Sequence, residues 1–176
     1  NLGLTDEDIT ALSQRAGVQM VEGSYTADGL IPAADNDLVV KLLSISDSGI
    51  NKPNLLRGRM PEQANECLVE ESLLTAMDAD LGSSISINTG DATYKDALVQ
   101  EQFTVVGTCQ SPLYLSIQRG TSTLGTGAVA GFIMLPADAF SMEAYTEIYL
   151  TLENAQAYNA YSSEYETLVD EWIAAN

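Results

Sequence analysis

The stretch from Phe103 to Phe140, FTVVGTCQSPLYLSIQRGTSTLGTGAVAGFIMLPADAF, constrains the fold more than any other part of this chain. Phe103, Val105 and Gly107 alternate with Thr104, Val106 and Thr108, the two-residue period of a β-strand. Gly131–Leu135 is a short apolar run closed by Pro136, as expected of a strand buried on both faces. Between them lies a polar, glycine-rich segment with no helical or strand period. Two strands joined by a long presented loop are therefore fixed before anything else is read.

The remaining elements follow from local chemistry. Thr5 is placed to cap a helix, with Asp6, Glu7 and Asp8 at the positive end of its dipole and Gly17 as a stop. Leu4 and Ile9 fit a hydrophobic staple around that cap. Residues 18–22 and 37–46 read as strands with a loop over 23–36, and 51–61 reads as a linker rich in turn residues. Residues 66–70 read as a strand leading into a short helix that ends near Met77. Ile85 and Ile87 alternate with serines, 88–101 reads as a hairpin loop with part of a strand, and 146–152 alternates again. Tyr158, Tyr161, Tyr165, Leu168 and Trp172 form a stripe at helical spacing, with a break near Ser162 where Ser163 and Glu166 fit a capping box. Helix, then many strands, then helix gives an α+β domain with a mixed sheet.

Charge narrows the function. The chain has 25 acids against seven bases, a net charge of −18, which repels nucleic-acid phosphates and anionic lipid head groups. There is no histidine, which removes Ser-His-Asp and Cys-His nucleophilic machinery and imidazole metal sites. Carboxylate pairs such as Glu70 with Glu71, or Asp78 with Asp80, are the remaining acid–base option, and their spacing does not distinguish them from the other acids. Gly120–Gly125 has the spacing of a phosphate loop but carries Thr126 where lysine is required. Gly125-Thr-Gly127-Ala-Val-Ala130 matches a dinucleotide fingerprint but opens a strand instead of a helix. Asp78-Ala-Asp80-Leu-Gly82 and Asp35-Asn36-Asp37 both fall short of a calcium loop. The expectation is a domain without catalytic residues, metal or cofactor.

Cys67 and Cys109 belong to no zinc pattern. A disulfide between them would close a loop of about 42 residues, worth roughly 3–4 kcal/mol in the chain-entropy model. Two buried free thiols are the alternative. No apolar run reaches the ~20 residues of a membrane span. The chain opens at Asn1 without a signal peptide and stops while its pattern is still helical, so an excised part of a longer protein is expected.

The order FTVVG, SPLY, RGT, GFIMLP and TEIYLT resembles the extracellular domain of FtsX-like, MacB-type ABC-transporter permeases. LTDEDITALSQRAGVQMVEG is similar to that family's opening helix and strand, and DLGSSISI to the strand after its G-x-x-I. In INKPNLLRGRMPEQANECLVEESLL, the family's GR-x-P turn and following NE fall on Gly58, Arg59, Pro61, Asn65 and Glu66. Together these pieces span most of residues 2–172. The resemblance implies a MacB-like periplasmic core domain: a porter-like βαβ subdomain over 1–60 and 143–176, and a β-rich inserted subdomain over 61–142. It implies an extracytoplasmic, non-catalytic part of an integral membrane protein, acting with a cytoplasmic ATPase that binds the ATP and with a second permease copy. Such domains transmit ATP-driven motion to export or extract a substrate, or to activate an external partner. The two chain ends are then expected close together. Partner contact is expected at Tyr114, Gln118, Arg119 and Thr121 on the loop that Pro112 and the glycines project. The competing reading of the same residues is a secreted or surface-anchored module that binds peptide or glycan.

Overall fold

Three strands carry the core because their sequences are apolar at consecutive positions, which a strand tolerates only when both its faces are covered. In the computed structural model of the chain, which describes residues 3–89, 96–114 and 120–176, they sit at the centre of a seven-stranded mixed sheet. In chain order the elements are α1 (Asp6–Ser13), β1 (Val18–Ser24), β2 (Thr26–Ile31), β3 (Leu38–Ser44), β4 (Asn54–Gly58), β5 (Glu66–Glu70), α2 (Glu71–Ala76) and β6 (Ser84–Ser86). They continue with β7 (Gln102–Gln110), β8 (Val129–Leu135), β9 (Glu147–Leu152) and α3 (Ser163–Ala175). The fold is α+β. Among the described residues, no helix is long and apolar enough to cross a membrane.

The chain divides into two compact units, one formed by residues 1–23 with 144–176 and the other by 24–143. The larger holds the sheet, in the order β2-β3-β8-β5-β7-β4, with β6 also on β7. β3 runs parallel to β8 and β5 parallel to β7, while β5 and β8 are antiparallel. Alternate residues of the central strands feed two apolar clusters. Cys67, Val69, Ile133 and Leu135 lie in one, which α2 joins through Leu73 and Leu74. Leu68, Phe132 and Met134 lie in the other with Leu43 and Cys109. Gly131 lets α2 come close: a Cβ there would stand 2.8 Å from that of Leu73.

Two segments differ from the sequence reading. Residues 26–31, read as loop, form β2, whose buried face is Ala27, Gly29 and Ile31. Residues 54–58, read as linker, form β4, an edge strand exposed along its whole length. Residues 24–60, grouped with the chain ends in the sequence reading, thus supply β2, β3 and β4 to the large sheet through backbone ladders.

The smaller unit is made from both ends of the chain. β1 and β9 form a two-stranded sheet. Leu4 and Tyr145 exchange backbone hydrogen bonds at 3.2 and 2.8 Å, and the Tyr145 hydroxyl donates to Asp6 at 2.9 Å. The Trp172 indole donates to the Ala16 carbonyl at 2.9 Å, fixing α3 to the turn before β1. Thr5 caps α1 as expected, and Asp8 closes a capping box with it. Gly17, read as the helix stop, lies beyond it: α1 ends at Ser13, and Gly17 takes its positive φ where the chain turns into β1. The second cap falls one residue earlier than read. Ser162 accepts from the Tyr165 N–H, so α3 begins at Ser163, leaving Tyr158 and Tyr161 outside the helix and exposed.

Candidate functional site

The GR-x-P and NE pieces meet as one clamp. Arg59 follows β4 and Glu66 opens β5. The guanidinium donates both its terminal nitrogens to the Glu66 carboxylate, at 2.8 and 2.5 Å, and one of them also to the Met60 carbonyl at 3.0 Å. The Glu62 N–H adds a third bond to the same carboxylate at 2.8 Å. Glu66 is buried, and its carboxyl is held at about 2 by the Arg59 guanidinium first and that N–H second. Gly58 completes the turn at φ +77°, where an added Cβ would lie 2.2 Å from the Val106 carbonyl oxygen. These motif residues therefore hold β4 to the sheet.

A carboxylate whose folded pKa is depressed contributes stability that is full above its ordinary value and is lost as pH falls through the folded one. The Arg59–Glu66 contribution should thus disappear between about pH 4.5 and 2. Glu66→Gln should lower the urea midpoint at pH 7 more than Glu62→Gln does, and the gap should close toward pH 2. A gap unchanged with pH would contradict this.

A second network anchors the glycine-rich loop. Asp28 on β2 and Lys41 on β3 are register partners and form an ion pair at 2.5 Å. Ser122 donates its hydroxyl to the other Asp28 oxygen at 2.6 Å, and Lys41 reaches the Thr121 carbonyl at 3.5 Å. Leu124 is buried beneath the loop, and the Ser122 hydroxyl accepts the Leu124 N–H at 3.0 Å. The loop is thus pinned at its base while Gly120, Thr121, Gly125 and Thr126 remain exposed. It runs straight into β8, which no phosphate or dinucleotide loop does.

Sequence reasoning had not marked Asp28, Lys41 or Ser122. The one signal was a lysine inside the apolar run Leu38–Leu43. Of the four residues expected to contact a partner, Thr121 is exposed on this loop. Gln118 and Arg119 lie outside the described residues. Tyr114 is half-buried and stacks on Phe132, with centroids 5.3 Å apart and planes at 14°. Its ring face packs against the sheet.

No protein-family model matches the chain, and no curated protein does. Among solved structures it is similar to the extracellular domain of the noncanonic ABC-type transporter YknZ from Gram-positive bacteria. The identity is 14% over 97% of this chain and 84% of that one, with a TM-score of 0.57. It is also similar to the periplasmic region of MacB from Actinobacillus actinomycetemcomitans, at 14% identity over 99% of this chain and 75% of that one, with a TM-score of 0.54. The chain has the fold of these outer permease domains.

Within this permease-domain fold the two cysteines are free and buried. Cys67 pairs in register with Val105, and Cys109 with Glu70, three residues further along β5. At ~3.3 Å per residue the two Cα atoms are about 10 Å apart, beyond the span of a disulfide. The side chains also enter different clusters on the sheet. The disulfide considered from sequence is thereby corrected to two separate thiols. Burial pushes both up to about 12, so neither should react with a maleimide at pH 7 in the folded chain. Two equivalents should react in denaturant, and stoichiometric labelling of the native protein would contradict this.

One member of each acidic pair, Glu71 and Asp80, is engaged as well. Arg57 donates to Glu71 at 2.9 Å and to Asp80 at 2.8 Å, tying β4 to α2 and to the turn before β6. The Glu71 carboxyl is lowered by Thr108 and Arg57, and that of Asp80 by the Leu81 N–H and Arg57. A general acid needs a carboxyl shifted the other way. No cluster of three metal-ligating side chains exists among the described residues.

Proposed function

We propose that the chain is the extracytoplasmic domain of an ABC-transporter permease, coupling cytoplasmic ATP hydrolysis to work on the outer face of the membrane. The observation that carries this is a fold shared over nearly the whole chain with two such domains. That work is export, extraction of a lipid or lipoprotein, or activation of an external partner. The domain itself is non-catalytic and needs no cofactor. Its ATPase is a separate cytoplasmic subunit, reached through the permease, and a second permease copy completes the machine. The glycine-rich loop, pinned at Asp28 and exposed at Thr121, with Gln118 and Arg119 beside it in sequence, offers the external contact.

The physical requirement is a rigid body driven through the segments that enter and leave it. A sheet with strands buried on both faces supplies rigidity, and the smaller unit gathers both ends of the chain. The coding sequence on either side of the chain tests the reading. One apolar segment of ~20 residues upstream and three downstream are expected, with an ATPase gene adjacent. A cleavable leader with no membrane segment would overturn it and leave a secreted binding module for peptide or glycan.

A further inference from the structure

Among the described residues, strand β6 has a ladder neighbour on one side only. It pairs antiparallel with β7 through Ser84↔Thr104, Ile85↔Phe103 and Ser86↔Gln102. Ser83 accepts from the Val105 N–H at 2.9 Å and Ile87 donates to the Glu101 carbonyl at 2.8 Å, so the odd-numbered residues bond to β7. Antiparallel alternation then points the backbone N–H and C=O of Ser84 and Ser86 to the opposite edge. Further along, Leu30 and Asn88 exchange backbone hydrogen bonds at 2.7 and 2.9 Å, as an isolated bridge. Past that bridge β2 runs into Pro32, which has no N–H to continue the pairing, and the two segments part.

The gap between them is a cleft of about 710 Å³. Ile31, Leu38, Met77 and Ile85 give it apolar lining; among the described residues its charged side chains are Asp35 and Asp78, and no lysine or arginine lines it. An open strand edge beside an apolar surface is the arrangement that captures an extended peptide by strand addition. The two carboxylates set the complementary charge.

We propose that this cleft binds an extended peptide segment bearing lysine or arginine, which adds a strand to the outer edge of β6 and places its basic side chains near Asp35 and Asp78. The inference stands apart from the permease reading, since the cleft would serve a permease domain and a free binding module alike.

The probe is a fluorescein-labelled, end-capped heptapeptide Lys-Val-Lys-Thr-Lys-Val-Lys, titrated into the 176-residue chain by fluorescence polarisation at about 0.15 M salt to limit long-range attraction. Amide shifts are followed in parallel by NMR. Saturable binding is expected, with the Ser84 and Ser86 amides among the largest shifts. Replacing the lysines with glutamate should abolish it. N-methylation of alternate peptide nitrogens should weaken it at least about tenfold, because strand addition rests on main-chain hydrogen bonds. Asp35→Asn with Asp78→Asn should weaken it by a similar factor; both positions are exposed, and Asn tolerates the left-handed backbone of Asp78. No saturable binding would overturn the proposal. So would equal affinity for the N-methylated peptide or for the doubly substituted chain, which would mean diffuse attraction to an acidic surface.

Discussion

Phe132→Ala should destabilise the domain by about 3–5 kcal/mol, the range for removing a buried aromatic from a core. Phe132 is 1% exposed, on a central strand between β3 and β5, and its ring supports Tyr114. Truncation leaves a cavity in the smaller of the two buried clusters, which has few other large side chains to collapse into it. For a chain of this length such a loss corresponds to roughly 10 °C in melting temperature. Tyr114→Ala should cost less, because that ring is half-buried, and the double variant should be less than additive because the rings are in contact. Urea unfolding of the four proteins measures this. Strict additivity would show that the stack contributes nothing.

Gly58→Val should be the second severe change. The backbone there has φ +77°, which costs an L-residue roughly 1–2 kcal/mol, more when it is β-branched. Sterics add to this, because the new Cβ would stand 2.2 Å from the Val106 carbonyl oxygen and 2.8 Å from the Gly107 Cα. Gly107 is its register partner, so both sides of this β4–β7 crossing lack a side chain. Something in the backbone must shift, and the Arg59–Glu66 clamp begins at the next residue. Gly82→Val is the matched control: φ is +87°, but nothing lies within 4 Å of the added Cβ. The difference between the two variants isolates the steric part, and Gly58 should lose at least ~2 kcal/mol more, together with hydrogen-exchange protection along β4. Equal losses would contradict the close approach.

How much of this was legible in the sequence depended on whether an element's neighbours left a local trace. β8 and β7 were readable because burial on one or both faces leaves an apolar run or an alternation. The caps of α1 and α3 were readable because their chemistry lies within four residues, although α3 begins one residue earlier than its capping pattern suggested. β2 was missed because two of its three inward positions, Ala27 and Gly29, are small, and Gly29 admits a close approach of the Leu42 and Ile87 side chains. β4 was missed because a fully exposed edge strand leaves no hydrophobic period at all.

The site residues divide along similar lines. Arg59 and Glu66 were singled out by the permease resemblance, and their meeting gives that spacing a structural reason. Asp28 and Ser122 are 94 positions apart, and no local pattern links them. The cleft beside β6 is likewise a product of topology: its walls come from three separate stretches of chain, each unremarkable alone.

The most direct test of the account is where the domain sits. Thr126→Cys places a thiol on the exposed glycine-rich loop, while Cys67 and Cys109 stay buried and silent. The full-length protein carrying this change would be treated in intact cells with a membrane-impermeant maleimide, then again after lysis. An outer permease domain predicts full labelling before lysis and no further gain after it. Labelling that appears only once the cells are broken would place the domain on the wrong side of the membrane and contradict the account.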